Sequence, residues 1–211
     1  MTLLATPCPY LTRDDTTHRY LADGLPVAIS VTGVLAASDP PGKRERIMAT
    51  VNEWAPRGNA CHAALEHFIK SDRSWLPTPG CPTFSPYTRW ILPLLTWPAW
   101  GHLTFTASEL MLHCPTLDLS GQFDGAYRSP SGGHVLFDLK SRSQPHSGTY
   151  STAAQLGGYI TLAARWGLHF DSAATIWARP NRYPTVSVYS ISDCQAAWQQ
   201  AWDVYQATLP F

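Results

Sequence analysis

The sequence predicts an α/β (α+β) domain in which helices flank a central mixed β-sheet, and three stretches carry that expectation. Residues 57–70, RGNACHAALEHFIK, space Cys61, Ala64, Leu65, Phe68 and Ile69 at helical intervals. Residues 119–140, LSGQFDGAYRSPSGGHVLFDLK, alternate as two strands about a five-residue turn, SPSGG. The pattern then returns to helix (150–165), strand (173–178), strand (185–191) and a last helix. A chain of 211 residues that is 45% apolar suits one domain over 1–211. Its core is expected over about 30–192, with an N-terminal hairpin and the C-terminal helix packed on it.

The first thirty residues read as loop and short strand, with a hairpin around Asp23-Gly24. Ser30 is a suitable N-cap for a short helix, VTGVLAA, and a second helix is expected over 43–54, after the Asp39-Pro40-Pro41-Gly42 break. In the 57–70 helix His62 falls at the edge of the apolar stripe, where a packed histidine is the commoner outcome and a ligand the rarer. Residues 71–87 hold Pro77, Pro79, Pro82 and Pro86 and read as an irregular loop, a candidate flap over substrate. A short aromatic helix over 87–96 precedes a strand or strand pair, HLTFTASELML, that contains Glu109. The 150–165 helix turns Leu156, Ile160 and Ala163 inward and sets Gln155 and Tyr159 on an adjoining face. Its adjacent Gly157 and Gly158 each cost on the order of 1 kcal/mol, which predicts close approach to another backbone or to substrate. Asp193 is expected to cap the final helix, whose Trp198, Trp202, Tyr205 and Leu209 form a core-facing stripe.

The hairpin concentrates chemistry. Strand alternation turns Val135, Phe137 and Leu139 one way and Asp138 and Lys140 the other, while Phe123 faces the core and Asp124 the opposite side. If the turn closes at Arg128 and His134, Asp124 lies across from Asp138 with Cβ atoms roughly 5 Å apart. Carboxylates so placed repel unless a cation lies between them, which points to a divalent metal.

Formal net charge is zero and charged residues are 14%, so a global field for nucleic acid is excluded and any such contact needs a local patch. Candidates are Lys43, Arg44, Arg46 and Arg57 early, and Arg142, Arg179 and Arg182 late, though each alone is more commonly a solvated charge. No apolar run reaches transmembrane length, and MTLLATPCPYLTRDD lacks the charged and apolar regions of a signal peptide, so a cytoplasmic protein with no membrane partner is expected. The five cysteines are widely spread with no CxxC pair, which indicates neither a disulfide framework nor a thiolate zinc site.

Five motifs follow one another: SVTGVL (30–35), RGNACH (57–62), GQFD (121–124), DLK (138–140) and QLGGY (155–159). DLK alone is weak, since 15 acidic residues and three lysines in 211 give about 0.2 chance acid-x-Lys matches. In order, over about 30–160, the five resemble the RecB-like branch of the PD-(D/E)XK nuclease superfamily, which includes phage exonucleases and CRISPR adaptation nucleases. The resemblance implies a restriction-endonuclease-like core and a metal-dependent DNA exonuclease acting in recombination, repair or degradation, with Mg²⁺ or Mn²⁺ as cofactor. It implies Asp124 and Asp138 as metal ligands, with His62 Nε2 and the Leu139 carbonyl completing the set, and Glu109 as a second-metal or water-mediated ligand. Lys140 would orient or help deprotonate the attacking water, Gln155 and Tyr159 would position the water or the DNA backbone, and Arg57 and Arg142 would contact substrate. Relatives with an iron–sulfur cluster use a C-terminal cysteine cluster; here Cys194 stands alone beyond Cys114, so no cluster is expected. Without a GxxxxGK[ST] loop the chain is not a fused helicase-nuclease. By analogy its partners are DNA, a recombinase or single-strand-binding protein, and copies of itself in a ring, in the host cytoplasm if it is phage-encoded. The alternatives are a structure- or single-strand-specific endonuclease, a non-catalytic DNA-binding module on a nuclease fold, and a plain hairpin whose bulge separates the aspartates.

Overall fold

The computed structural model describes residues 3–14, 17 and 19–209; the chain ends and His18, at the start of the expected N-terminal hairpin, lie outside it. The protein is a mixed α/β fold with a six-stranded mixed sheet flanked by helices. A small antiparallel sheet comes first: β1 (Leu11–Arg13), β2 (Tyr20–Ala22) and β3 (Leu25–Pro26), turning at Asp23-Gly24. Then come β4 (Ile29–Ser30), α1 (Val31–Ser38), α2 (Lys43–Met48), α3 (Val51–Lys70) and α4 (Thr88–Leu95). The central strands β5 (Thr104–Cys114), β6 (Leu119–Arg128) and β7 (His134–Ser141) lead to α5 (Ala153–Arg165). The chain closes with β8 (Ser172–Arg179), β9 (Arg182–Tyr189) and α6 (Ile191–Gln206).

Ser30 caps α1 as expected, its Oγ accepting from Gly33 N. The helix expected from Arg57 begins six residues earlier, at Val51, and carries Pro56 inside it; the second helix, expected over 43–54, ends at Met48. Pro56 lies close enough to the helix start that its missing N–H disturbs few intrahelical bonds. The helix expected over 150–165 begins only at Ala153, because Thr152 is drawn to β8 by a hydroxyl contact with Thr175. Ser190, not Asp193, caps α6: its Oγ accepts from Asp193 N, which leaves Asp193 in the first turn. Leu209 falls beyond the end of α6 and is exposed, so the core stripe is Trp198, Trp202 and Tyr205.

Two apolar clusters sandwich the sheet. One gathers α1, α5 and α6 over Leu110, Leu112, Leu119, Phe123, Ala126 and Leu136; the other gathers α3 and α4 over Phe105, Val135, Phe137, Leu139 and Ile176. Alternate residues of β7 thus enter opposite clusters, as a strand buried on both faces requires. Cys194 and Trp198 belong to the first cluster, so α6 is part of the core and not an addition to it. A Cβ on Gly157 would stand 2.0 Å from the Cys194 carbonyl oxygen, so the glycine pair marks a close helix crossing of α5 on α6. The small N-terminal sheet packs Cys8, Leu11 and Tyr20 against Met111 and Trp166.

The hairpin turn has the expected register, Arg128 pairing with His134 up to Gly125 with Phe137. β5 flanks one edge of β6 along its length. On the other edge β4 takes residues 119–120 in parallel and β7 takes 125–128, so residues 121–124 lie between two partners and pair with neither. Among the described residues no helix is long and apolar enough to cross a membrane.

Candidate functional site

The gap in the β6 edge is the floor of a cleft of about 220 Å³. Ser30, Val31 and Thr32 at the start of α1 form one wall, Asn59 and His62 on α3 another, and Gln155 and Tyr159 on α5 a third. Glu109, Asp124, Asp138 and Lys140 come up from the strands. The alternation of both central strands slips beside it. Phe123 and Ala126, three apart, enter the same cluster, as do Ala107 and Leu110, and Glu109 sits at φ 49° in the left-handed region. The slip aims Glu109 and Asp124 together into the cleft, and Asp138, just past the last β6–β7 pair, enters beside them.

His62 Nδ1 stands 3.2 Å from Asp124 Oδ1 and 3.9 Å from Glu109 Oε1. Ligand atoms of these three residues all lie within 4.8 Å of one another. The gathered group differs from the expected set in three respects. Nδ1 of the imidazole, and not Nε2, faces the carboxylates. Glu109 belongs to the gathered group because its left-handed backbone turns it inward. Asp138 stands outside that trio and is engaged elsewhere: Oδ1 accepts from Lys140 Nζ at 3.0 Å and Gln155 Nε2 at 2.9 Å. Lys140 Nζ is also 2.8 Å from Asp138 Oδ2, an ion-pair contact without hydrogen-bond geometry, so that buried oxygen has no hydrogen-bond partner. The Leu139 side chain is in the core, while its N–H donates to Asp124 Oδ2, a carboxylate taking the place of the departed strand. A strand residue's carbonyl leaves on the same edge as its N–H, so the Leu139 carbonyl faces the Asp124 side.

The charges are strongly coupled. Burial alone would lower the His62 pKa, but Asp124 and then Glu109 outweigh it and raise it to about 10. Burial pushes the Asp124 carboxyl up, yet the His62 imidazolium, Lys140 and the Leu139 N–H hold it below the ordinary value. Burial raises Glu109, and raises Asp138 to about 6 against the pull of Lys140. Lys140 itself, disfavoured by burial, is raised by Asp138 and Asp124 and so carries its charge. Burial lifts the Tyr159 phenol well above its usual value, and it stays a protonated hydroxyl beside Gln155 Nε2 at 2.9 Å.

The donor set fits a hard divalent cation: an imidazole and two carboxylates converge, and a buried carboxylate oxygen beside them lacks a hydrogen bond. In such a site His62, Glu109 and Asp124 would hold Mg²⁺ or Mn²⁺, with the imidazole favouring Mn²⁺.

Two expected substrate contacts lie outside this cleft. Arg57 is buried, its Nε donating to Ser141 Oγ at 3.0 Å and its guanidinium 5.4 Å from the Trp90 ring. Arg142 lies over Tyr150 and Trp177. No residue of 71–87 lines the cleft; Trp75 and Phe84 dock on His67 of α3, so this segment is a brace and not a flap. Sequence reasoning missed Arg13, Tyr20, Asn59 and Gln122, all of which line the cleft. Gln122 Nε2 donates to Glu109 Oε2 at 2.6 Å, and Arg13 reaches Gln122 Oε1 at 3.3 Å. Asn59 was legible, being one turn from His62 on one helix face; Arg13 and Tyr20 arrive from the separate small sheet and left no local signal.

No family model matches the chain, and no curated protein matches it. Among solved structures, one titled "Crystal structure of SSO0001" is similar at 12% identity with a TM-score of 0.34, covering 69% of this chain and 84% of that one. A likeness that slight carries no argument about fold or function.

Proposed function

We propose that the protein is a metal-dependent deoxyribonuclease of the PD-(D/E)XK type, an exonuclease by preference. The observation that carries this reading is the convergence of His62, Glu109 and Asp124 beside a buried Asp138 held by Lys140 and Gln155 in one cleft. His62, Glu109 and Asp124 would hold a divalent ion, which would supply a water of lowered pKa and charge to offset that of the scissile phosphate. The chain's own residues do the rest. Lys140, fixed by Asp138 and charged, offers Nζ to the negative charge that grows on a phosphoryl oxygen. Gln155, held between Asp138 and Tyr159, has its Nε2 committed to both and so orients its carbonyl oxygen toward water or sugar. Tyr159, still protonated, can donate to the backbone of a bound strand.

The test is a time course on end-labelled linear duplex, linear single strand and covalently closed circle, with Mg²⁺ or Mn²⁺. Cleavage of the linear substrates alone is expected, with loss of at least about 100-fold in rate for Asp124→Asn and Asp138→Ala. Cutting of the circle would assign an endonuclease, and no cleavage under either ion would overturn the proposal.

A further inference from the structure

A second cleft, larger than the first at about 790 Å³, opens between α4 and the β8–β9 turn. Leu92, Pro93 and Thr96 form one side; Pro145, His146, Ser147, Arg179, Asn181 and Arg182 form the other, with Tyr183 and Thr185. Arg179 and Arg182 are direct cross-strand partners, an arrangement that is destabilising for like charges. Among the described residues neither they nor Arg142, whose N–H bonds to Ala178 O one residue before Arg179, has a carboxylate within 4 Å. Arg179 is tied to the Pro145 and Ser147 carbonyls and Thr185, and among the described residues the Arg182 side chain is hydrogen-bonded only to His146 Nδ1, at 3.0 Å. The Arg142 Nε is buried with no hydrogen-bond partner. Two paired arginines without a carboxylate, with Arg142 close behind them, call for an anion. Beside them the aromatic side chains are turned outward, Tyr150 at 52% and Tyr183 at 54% exposure, and the facing wall is apolar.

We infer that this cleft takes a nucleotide unit of single-stranded nucleic acid, its phosphate at Arg182 beside Arg179 and its base against Tyr183 and the Leu92–Pro93 wall. Charge plus an exposed aromatic ring is the combination by which single strands are held without sequence preference. The placement ties it to the first cleft. Lys140 pairs with Trp177 across β7 and β8, and Arg142 and Arg179 each lie two residues, roughly 7 Å, further toward the same end of these parallel strands. The cleft would hold the strand that enters or leaves the metal site, and to that extent the inference rests on the nuclease reading. It names the strand that the enzyme grips: a separated single strand, not the duplex.

Binding separates the two ideas. Fluorescence anisotropy of a fluorescein-labelled oligothymidylate is measured with EDTA present, over a range of salt, for the wild type and variants of the full chain whose melting temperatures match it. Arg182→Gln should reduce the slope of log affinity against log salt by about 0.7, with Arg182→Lys restoring it. Tyr183→Ala should weaken binding about tenfold without changing the slope. An unchanged slope in Arg182→Gln, or a duplex of equal length binding more tightly through the same arginine, would overturn the inference. If these binding results hold while the wild type cleaves nothing under Mg²⁺ or Mn²⁺, the nuclease reading fails and the strand-binding cleft stands.

Discussion

His62 shows how far a residue's surroundings can set its chemistry. In the ion-free protein its proton is held by Asp124 and Glu109, with a pKa of about 10 against 6.5 for the free side chain. A raised pKa means that the pairing stabilises the fold fully below about 6.5 and that this stabilisation is lost as pH climbs through about 10. Asp138, raised from 3.8 to about 6, follows the same sign in a lower window, its contribution full below 3.8 and gone above about 6. The His62 proton competes with a cation held by the same group. The melting temperature without metal should therefore fall between pH 6.5 and pH 10, and the upward shift on adding Mn²⁺ should grow over the same range. At roughly 100 times the dissociation constant the shift should reach about 5–10 °C, from about 2.7 kcal/mol of linkage. Asp124→Asn and Glu109→Gln should abolish it in a thermal scan; a shift that survives both would place the ion elsewhere.

At the scale of the element, α3, α5 and the β6–β7 hairpin do the positioning, and their legibility differs for physical reasons. The hairpin could be read because a breaker-rich turn fixes register and alternation fixes faces. The start of α3 could not, because Pro56 signals a break that is costly deep in a helix and mild near its start. The slip of β5 and β6 was invisible: a left-handed glutamate has no signature in sequence, and so Glu109 read as an outlying ligand and Asp138 as a central one. The glycine pair of α5 was legible as close approach, and the structure names the backbone that approaches. Gly157→Ala should cost about 3 kcal/mol, since neither the Cys194 carbonyl nor the Trp198 Cβ can yield easily. Gly58→Ala in α3, where an added Cβ meets nothing within 4 Å, should instead stabilise by about 0.5–1 kcal/mol. Denaturant midpoints of the two variants should move in opposite directions.

Across the whole molecule, two apolar clusters clamp one sheet, and the first cleft lies where their helices part. Gln155 and Tyr159 reach it from α5, which lies on α6, so the last helix supports the site without touching it. Trp198→Ala should cost about 3–5 kcal/mol, read by urea unfolding, with a single cooperative transition if the clusters melt together. The neutral overall charge hid a separation that only the fold reveals: carboxylates gather in the cleft of the β6 edge while arginines gather at the β8–β9 end. Composition sums such charges to zero and cannot report their distance from one another.

Glu109 ends with a consequence for how such a chain would change over generations. Its left-handed backbone costs on the order of 1 kcal/mol or more for a residue with a side chain, and its carboxylate is half-buried among other acids. Glycine there would relieve the backbone but would take a carboxylate from His62 and Gln122, so in Glu109→Gly the two effects should offset and the melting temperature without metal should stay near that of the wild type. Folding alone does not call for a glutamate at this position, so whether the proposed ion binds decides what a lineage would gain by keeping it.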